Sequence, residues 1–200
     1  MKKIDFWFSI GSTYTYLTMC RIDQVEKNYK ISFNWKPFSV RKIMLEMNNI
    51  PFTPPEKKTK SDYMWRDIER RAIKYGLKPK IPAPYPLKEF DLANKLAILG
   101  IEEGWCEDYA KITYKLWFED GIEAGSAEAI DKTINQLNLN KNEVLEKANS
   151  ELVRNKFYSQ TDVARKLGVF GSPTFIVNKE VFWGDDRLDD AIKWSYGVNI

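Results

Sequence analysis

Two hundred residues suffice for one sizeable core, or for a small domain with a large insertion, and are too few for two full-sized domains. With 44% hydrophobic and 30% charged residues the chain is globular in composition, and a net charge of +3 with one short basic run at 56–60 builds no phosphate-tracking surface, so nucleic acid is not an expected partner. Histidine is absent, which removes Ser-His-Asp and Cys-His catalysis and histidine zinc sites and leaves hydroxyls, carboxylates, lysine, tyrosine or a bound cofactor for any chemistry.

Residues 4–10 alternate around aromatic and β-branched side chains and read as a strand that runs to Gly11. Ser12 follows at a natural helix N-cap, and Leu17, Cys20 and Val25 set a helical rhythm that starts at Tyr14 and ends near Asn28. A second strand at 31–37 is closed by Pro37, and a right-handed β-α-β crossover makes the two strands parallel. Helices are expected at 40–47, 61–75, 89–103, 107–119, 126–136 and, with breaks, 141–166. The proline-rich stretches 51–55 and 79–86 are loops. Beyond Gly168, strands at 174–177 and 180–183 flank a turn at Asn178-Lys179, and a last helix beginning near Asp185 or Asp186 carries Leu188, Ile192 and Trp194. Strands at both ends and helices between them describe an α/β chain: a thioredoxin-like fold from residues 1–38 and 168–200, with 39–167 as a large all-helical insertion in a single folded unit. Neither a signal-peptide apolar region nor a run near the roughly 20 apolar residues of a membrane span is present, so a cytoplasmic location and no membrane contact are expected. Cys20 and Cys106 form no Cys-x-x-Cys pair and are expected as two buried free thiols, with a disulfide between them left open.

Ligands of parallel α/β folds gather where strands end and helices begin, which is where Ser12 stands. Its hydroxyl can donate to an anion while the helix start favours a thiolate; the alternative is a plain cap worth about 1 kcal/mol. In Gly171-Ser172-Pro173-Thr174, a cis Pro173 at a strand start leaves the Ser172 backbone free to pair with an extended ligand, against an ordinary trans proline there. In Gly184-Asp185-Asp186-Arg187, Gly184 and neighbouring amides can hold a carboxylate and Asp186 an ammonium, against a merely favourable acidic first turn.

Together with Phe6-Trp7-Phe8, Ser12-Thr13-Tyr14-Thr15-Tyr16-Leu17 and Trp35-Lys36-Pro37-Phe38, these motifs resemble the kappa-class glutathione transferase and 2-hydroxychromene-2-carboxylate isomerase group, a DsbA-like branch of the thioredoxin superfamily. The resemblance implies glutathione as cofactor. It places Ser12 on the glutathione sulfur as the catalytic residue, Ser172 and Pro173 on the tripeptide backbone, and Asp185, Asp186 and Arg187 on the γ-glutamyl end. Asn49, before Ile50-Pro51, and Lys60, three positions before Tyr63, match further binding positions of the group. The chain departs from the group in carrying Thr13 where many relatives have proline, and Asp185 where transferases usually have serine, a carboxylate that repels its γ-glutamyl counterpart unless it points away. The implied activity is glutathione-dependent isomerisation or conjugation of a small aromatic or unsaturated electrophile, with a homodimer left open. A thiol–disulfide oxidoreductase is disfavoured because Ser12 and Thr15 stand where its cysteines belong, and a non-catalytic binding module is the remaining alternative.

Overall fold

A computed structural model describes residues 1–49 and 55–198. Strands β1 (Lys2–Phe8), β2 (Ile31–Pro37), β3 (Thr174–Val177) and β4 (Glu180–Trp183) form one sheet in the order β2-β1-β3-β4. The β1–β2 pair is parallel, as a crossover demands, and the β1–β3 and β3–β4 pairs are antiparallel. Register and the two-residue side-chain period put Phe6 opposite both Trp35 and Phe175, so one sheet face is an aromatic layer. Phe6 stacks on Phe8 and Phe175 with centroids 5.3 and 5.4 Å away, and Trp35 meets it edge-on at 5.2 Å. Fully burying such a ring contributes about 1.5–3 kcal/mol, which explains why this strand run is so insistent in the sequence. Asn178 and Lys179, both with positive φ (51° and 73°), make the tight turn that returns β3 into β4.

The first helix is not continuous as expected. It divides into α1 (Thr15–Met19) and α2 (Ile22–Tyr29), broken at Cys20–Arg21, where Arg21 reaches back to the Asp185 carbonyl at 2.8 Å and lies 4.6 Å over the Tyr75 ring. The break also corrects the expectation for Cys20, which is exposed, whereas Cys106 is buried; both thiols are free.

The helical region comprises α3 (Val40–Glu46), α4 (Lys58–Lys74), α5 (Phe90–Glu103), α6 (Cys106–Lys115), α7 (Ala127–Gln136), α8 (Lys141–Ala148) and α9 (Glu151–Lys166). The break expected within 141–166 falls at Ser150, whose hydroxyl caps α9 by accepting from the Val153 N–H. Of the predicted proline loop at 51–55, residues 51–54 lie outside the described residues. The chain closes with a 3-10 turn, Asp185–Arg187, running into α10 (Leu188–Ser195). No described helix is long and apolar enough to cross a membrane.

Candidate functional site

After β1 the chain turns at residues 9–14 before α1 begins, and four groups hold that turn. Ser12 closes it with its N–H on the Ser9 carbonyl, 3.0 Å away. Gly11 has φ +116° and lies so close to Phe90 that a Cβ there would fall 2.1 Å from the ring, so only glycine fits. Asn94, buried on α5, receives the Ile10 N–H at 2.8 Å and the Ser9 hydroxyl at 3.3 Å, and donates to the carbonyls of Ile10 and Phe90 at 2.8 and 2.9 Å. Tyr114, buried on α6, sends its hydroxyl to the carbonyls of Ser9 (3.0 Å) and Ser12 (3.1 Å); burial pushes its phenol well above the usual range, which keeps it a donor.

This arrangement revises the role expected of Ser12 at the helix start. Tyr14, not Ser12, is the N-cap residue of α1, and the Ser12 hydroxyl donates instead to the Ser172 carbonyl at 2.5 Å. The Ser172–Pro173 bond is cis. Ser172 is tied in turn from its side chain, which accepts from the Ser9 N–H at 2.9 Å and shares a hydrogen bond with the Thr15 hydroxyl at 2.9 Å. Two steps farther round, the Gly184 N–H donates to the Pro173 carbonyl at 2.9 Å. Ser12, Ser172, Pro173 and the Gly184 turn therefore stand side by side at one end of the sheet.

The acidic turn behaves differently at each of its residues. Asp185 is fully buried: it accepts from Thr18 Oγ1 at 2.9 Å and from Arg71, and Arg21 lies 3.4 Å away. Burial raises its carboxyl and the two guanidiniums oppose that rise. Its side chain thus points inward and is occupied, so it is not the direct ligand for a γ-glutamyl group that the motif suggested; the same inward aim removes the charge repulsion expected of it. Asp186 is exposed and pairs with Arg187 at 3.0 Å, and Arg187 also reaches Asp190 at 3.0 Å. Both remain on the rim. Lys60, exposed on α4, sits one helical turn before Met64, whose sulfur accepts from the buried Thr13 hydroxyl at 3.1 Å, so Lys60 shares the α4 face turned toward the Ser12 turn. Asn49 is exposed where α3 ends, its N–H on the Met44 carbonyl at 2.8 Å, and no hydrogen bond among the described residues joins it to Ser12. Its neighbours Ile50 and Pro51 lie outside the described residues.

Sequence reading alone passed over Asn94, Tyr114, Arg21 and Arg71. For Asn94 a signal existed: it stands four residues after Phe90 on the apolar face shared with Ala93 and Ala97, where an unpartnered amide would be costly. Among the aromatic side chains of the helical region, Trp105 and Trp117 belong to the core, while Trp65 and Tyr85 are half-buried and meet edge-on at 6.0 Å. Trp65 also approaches Phe118, which stacks on Tyr16 at 4.2 Å.

Neither thiol is poised for exchange. Desolvation pushes Cys20 up to about 12 despite its surface position and raises buried Cys106 as well, and neither is at the Ser12 turn. Replacing both by alanine is expected to leave ligand affinity at this site within about threefold of the parent, the loss being one of packing alone. Calorimetric titration of the double variant checks this, and abolished binding would return the cysteines to the site.

The DSBA-like thioredoxin domain matches residues 3–193. A 2-hydroxychromene-2-carboxylate isomerase of Pseudomonas putida is 23% identical over 92% of this chain and 90% of its own. Among solved structures, another 2-hydroxychromene-2-carboxylate isomerase superposes with a TM-score of 0.85 at 22% identity, covering 98% of this chain and 94% of that one. The cytosolic disulfide reductase DsbM of Pseudomonas aeruginosa, solved with GSH, superposes with a TM-score of 0.63 at 13% identity over 98% of each chain.

Proposed function

Because the chain belongs to the DSBA-like thioredoxin domain family yet carries Ser12 and Thr15 where a redox member needs cysteines, we propose that it is a glutathione-dependent isomerase of the 2-hydroxychromene-2-carboxylate isomerase type. One observation carries the reading. The Ser12 hydroxyl, and no sulfur of this chain, faces the Ser172 carbonyl beside a cis proline, at 2.5 Å. The name of the P. putida relative and the GSH of the DsbM structure support the reading from outside the chain.

Bound glutathione would supply a thiolate able to add reversibly to an unsaturated ketone, so that a double bond rotates while single and is restored by elimination. The protein's part is to hold and ionise that thiol. Ser12 has one hydroxyl proton, and a thiolate, as a charged acceptor, competes for it with about twice the strength of a neutral carbonyl. In turning that proton to sulfur, Ser12 releases the Ser172 carbonyl, which then takes an amide N–H from the ligand backbone. Asp186 on the rim accepts from the ligand ammonium, Lys60 and Asn49 contact other parts of the ligand from the helical side, and Arg187 holds Asp186 in place. Trp65 and Tyr85 offer half-buried rings to a flat, unsaturated partner.

Titrating the protein with reduced glutathione by calorimetry, with thiolate absorbance followed in parallel, tests the proposal. Saturable binding with thiolate present near neutral pH is the expected result. Absence of binding at millimolar glutathione would refute it.

A further inference from the structure

The guanidinium of Arg71 has more hydrogen-bonding capacity than its buried acid uses. It donates through Nη2 to Asp185 and turns toward Tyr75, which engages part of its five N–H donors. Its side chain is 19% exposed, and it lies 6.0 Å from the centre of the Tyr14 ring, two residues beyond Ser12. Two other guanidiniums nearby have carboxylates of their own. Arg21 is shared between the Asp185 carbonyl, its carboxylate and Asp189 at 3.8 Å, and Arg187 is held by Asp186 and Asp190. Arg71 therefore presents a fixed positive charge at the edge of the site, braced from beneath by a carboxylate that cannot itself reach a ligand.

We infer that Arg71 anchors the α-carboxylate of the γ-glutamyl residue, with Asp185 as the positioning residue that aims it; the inference rests on the glutathione reading above. A carboxylate matches a guanidinium in both charge and fork geometry. The spacing fits as well. Arg71 lies beside the ring of Tyr14, two residues beyond Ser12, and in the tripeptide the γ-glutamyl residue adjoins the cysteine that carries the sulfur. A ligand with its sulfur on Ser12 thus reaches Arg71 with its γ-glutamyl end.

The test compares glutathione with γ-aminobutyryl-cysteinyl-glycine, which lacks only that carboxylate. The parent protein should prefer glutathione by roughly 10- to 100-fold. Arg71→Met removes the anchoring guanidinium while Arg21 remains as the counter-ion of buried Asp185, and this variant should bind both tripeptides alike. Should that variant fail to fold, Arg71→Lys keeps the buried pair but not the planar fork and should reduce the preference several-fold. An unaltered preference in the variants, or none in the parent, overturns the role of Arg71 while leaving glutathione binding intact. A parent that binds neither tripeptide overturns both readings.

Discussion

Asn94→Ala is expected to lower the free energy of unfolding by about 3–4 kcal/mol and the melting temperature by on the order of 10 °C. The side chain makes four hydrogen bonds inside the protein, two of them to the N–H and C=O of Ile10. Alanine leaves both backbone groups buried without their partner, and each such group costs about 1–3 kcal/mol. The sum is less than additive because the groups are neighbours and a water can enter the space left behind. The same change frees the turn that carries Ser12, so glutathione affinity should fall in the variant even at temperatures where it remains folded. Denaturant titration and calorimetry measure the two effects. A loss below about 1 kcal/mol would mean that the turn holds itself and that Asn94 is incidental.

Ser12→Ala should raise the pKa of the bound glutathione thiol by roughly one to two units, nearer one, since the hydroxyl must give up its bond to Ser172 before it can serve the sulfur. The sign follows from which form is stabilised: the lost donor favoured the thiolate, so without it the proton is held to higher pH. At neutral pH the variant should show a thiolate signal smaller by up to about tenfold, recovered as pH rises. Tripeptide affinity should suffer less, because alanine leaves the Ser172 carbonyl open to the ligand backbone. An unchanged absorbance midpoint would reduce Ser12 to a structural contact with Ser172.

Strands were the most legible part of this fold. Those at 31–37, 174–177 and 180–183 are bounded in the sequence by Pro37, Pro173 and Asn178-Lys179, and the structure places them at those residues. The break at Cys20–Arg21 was not legible, since nothing local causes it: Arg21 is drawn out by Asp185 and Tyr75, which lie far along the chain. The meeting of Ser12, Ser172 and Gly184 followed from placing each at a strand end. What the Ser12 hydroxyl touches did not follow, because local capping rules rank only nearby amides and its acceptor is 160 positions away. The burial of Asp185 is not legible, for a related reason. An acid in a helix-start motif is usually solvated, and only the packing of Thr18 and Arg71 turns this one inward.

The Ser12 turn is held from outside the strand that carries it: Asn94, Tyr114 and Met64 all come from helices between the two halves of the sheet. The site is consequently not modular. A miniaturised protein joining residues 1–38 directly to 168–200 would retain Ser12, Ser172 and Asp186 in its sequence while losing the side chains that shape the turn beneath them. Conversely, substitutions on α5 and α6 that never meet a ligand can retune the hydroxyl by small shifts of its backbone. Libraries aimed at new substrates gain as much by varying the surroundings of Asn94 and Tyr114 as by varying the rim, and drift in those helices offers lineages a route to altered reactivity with every ligand-facing residue unchanged.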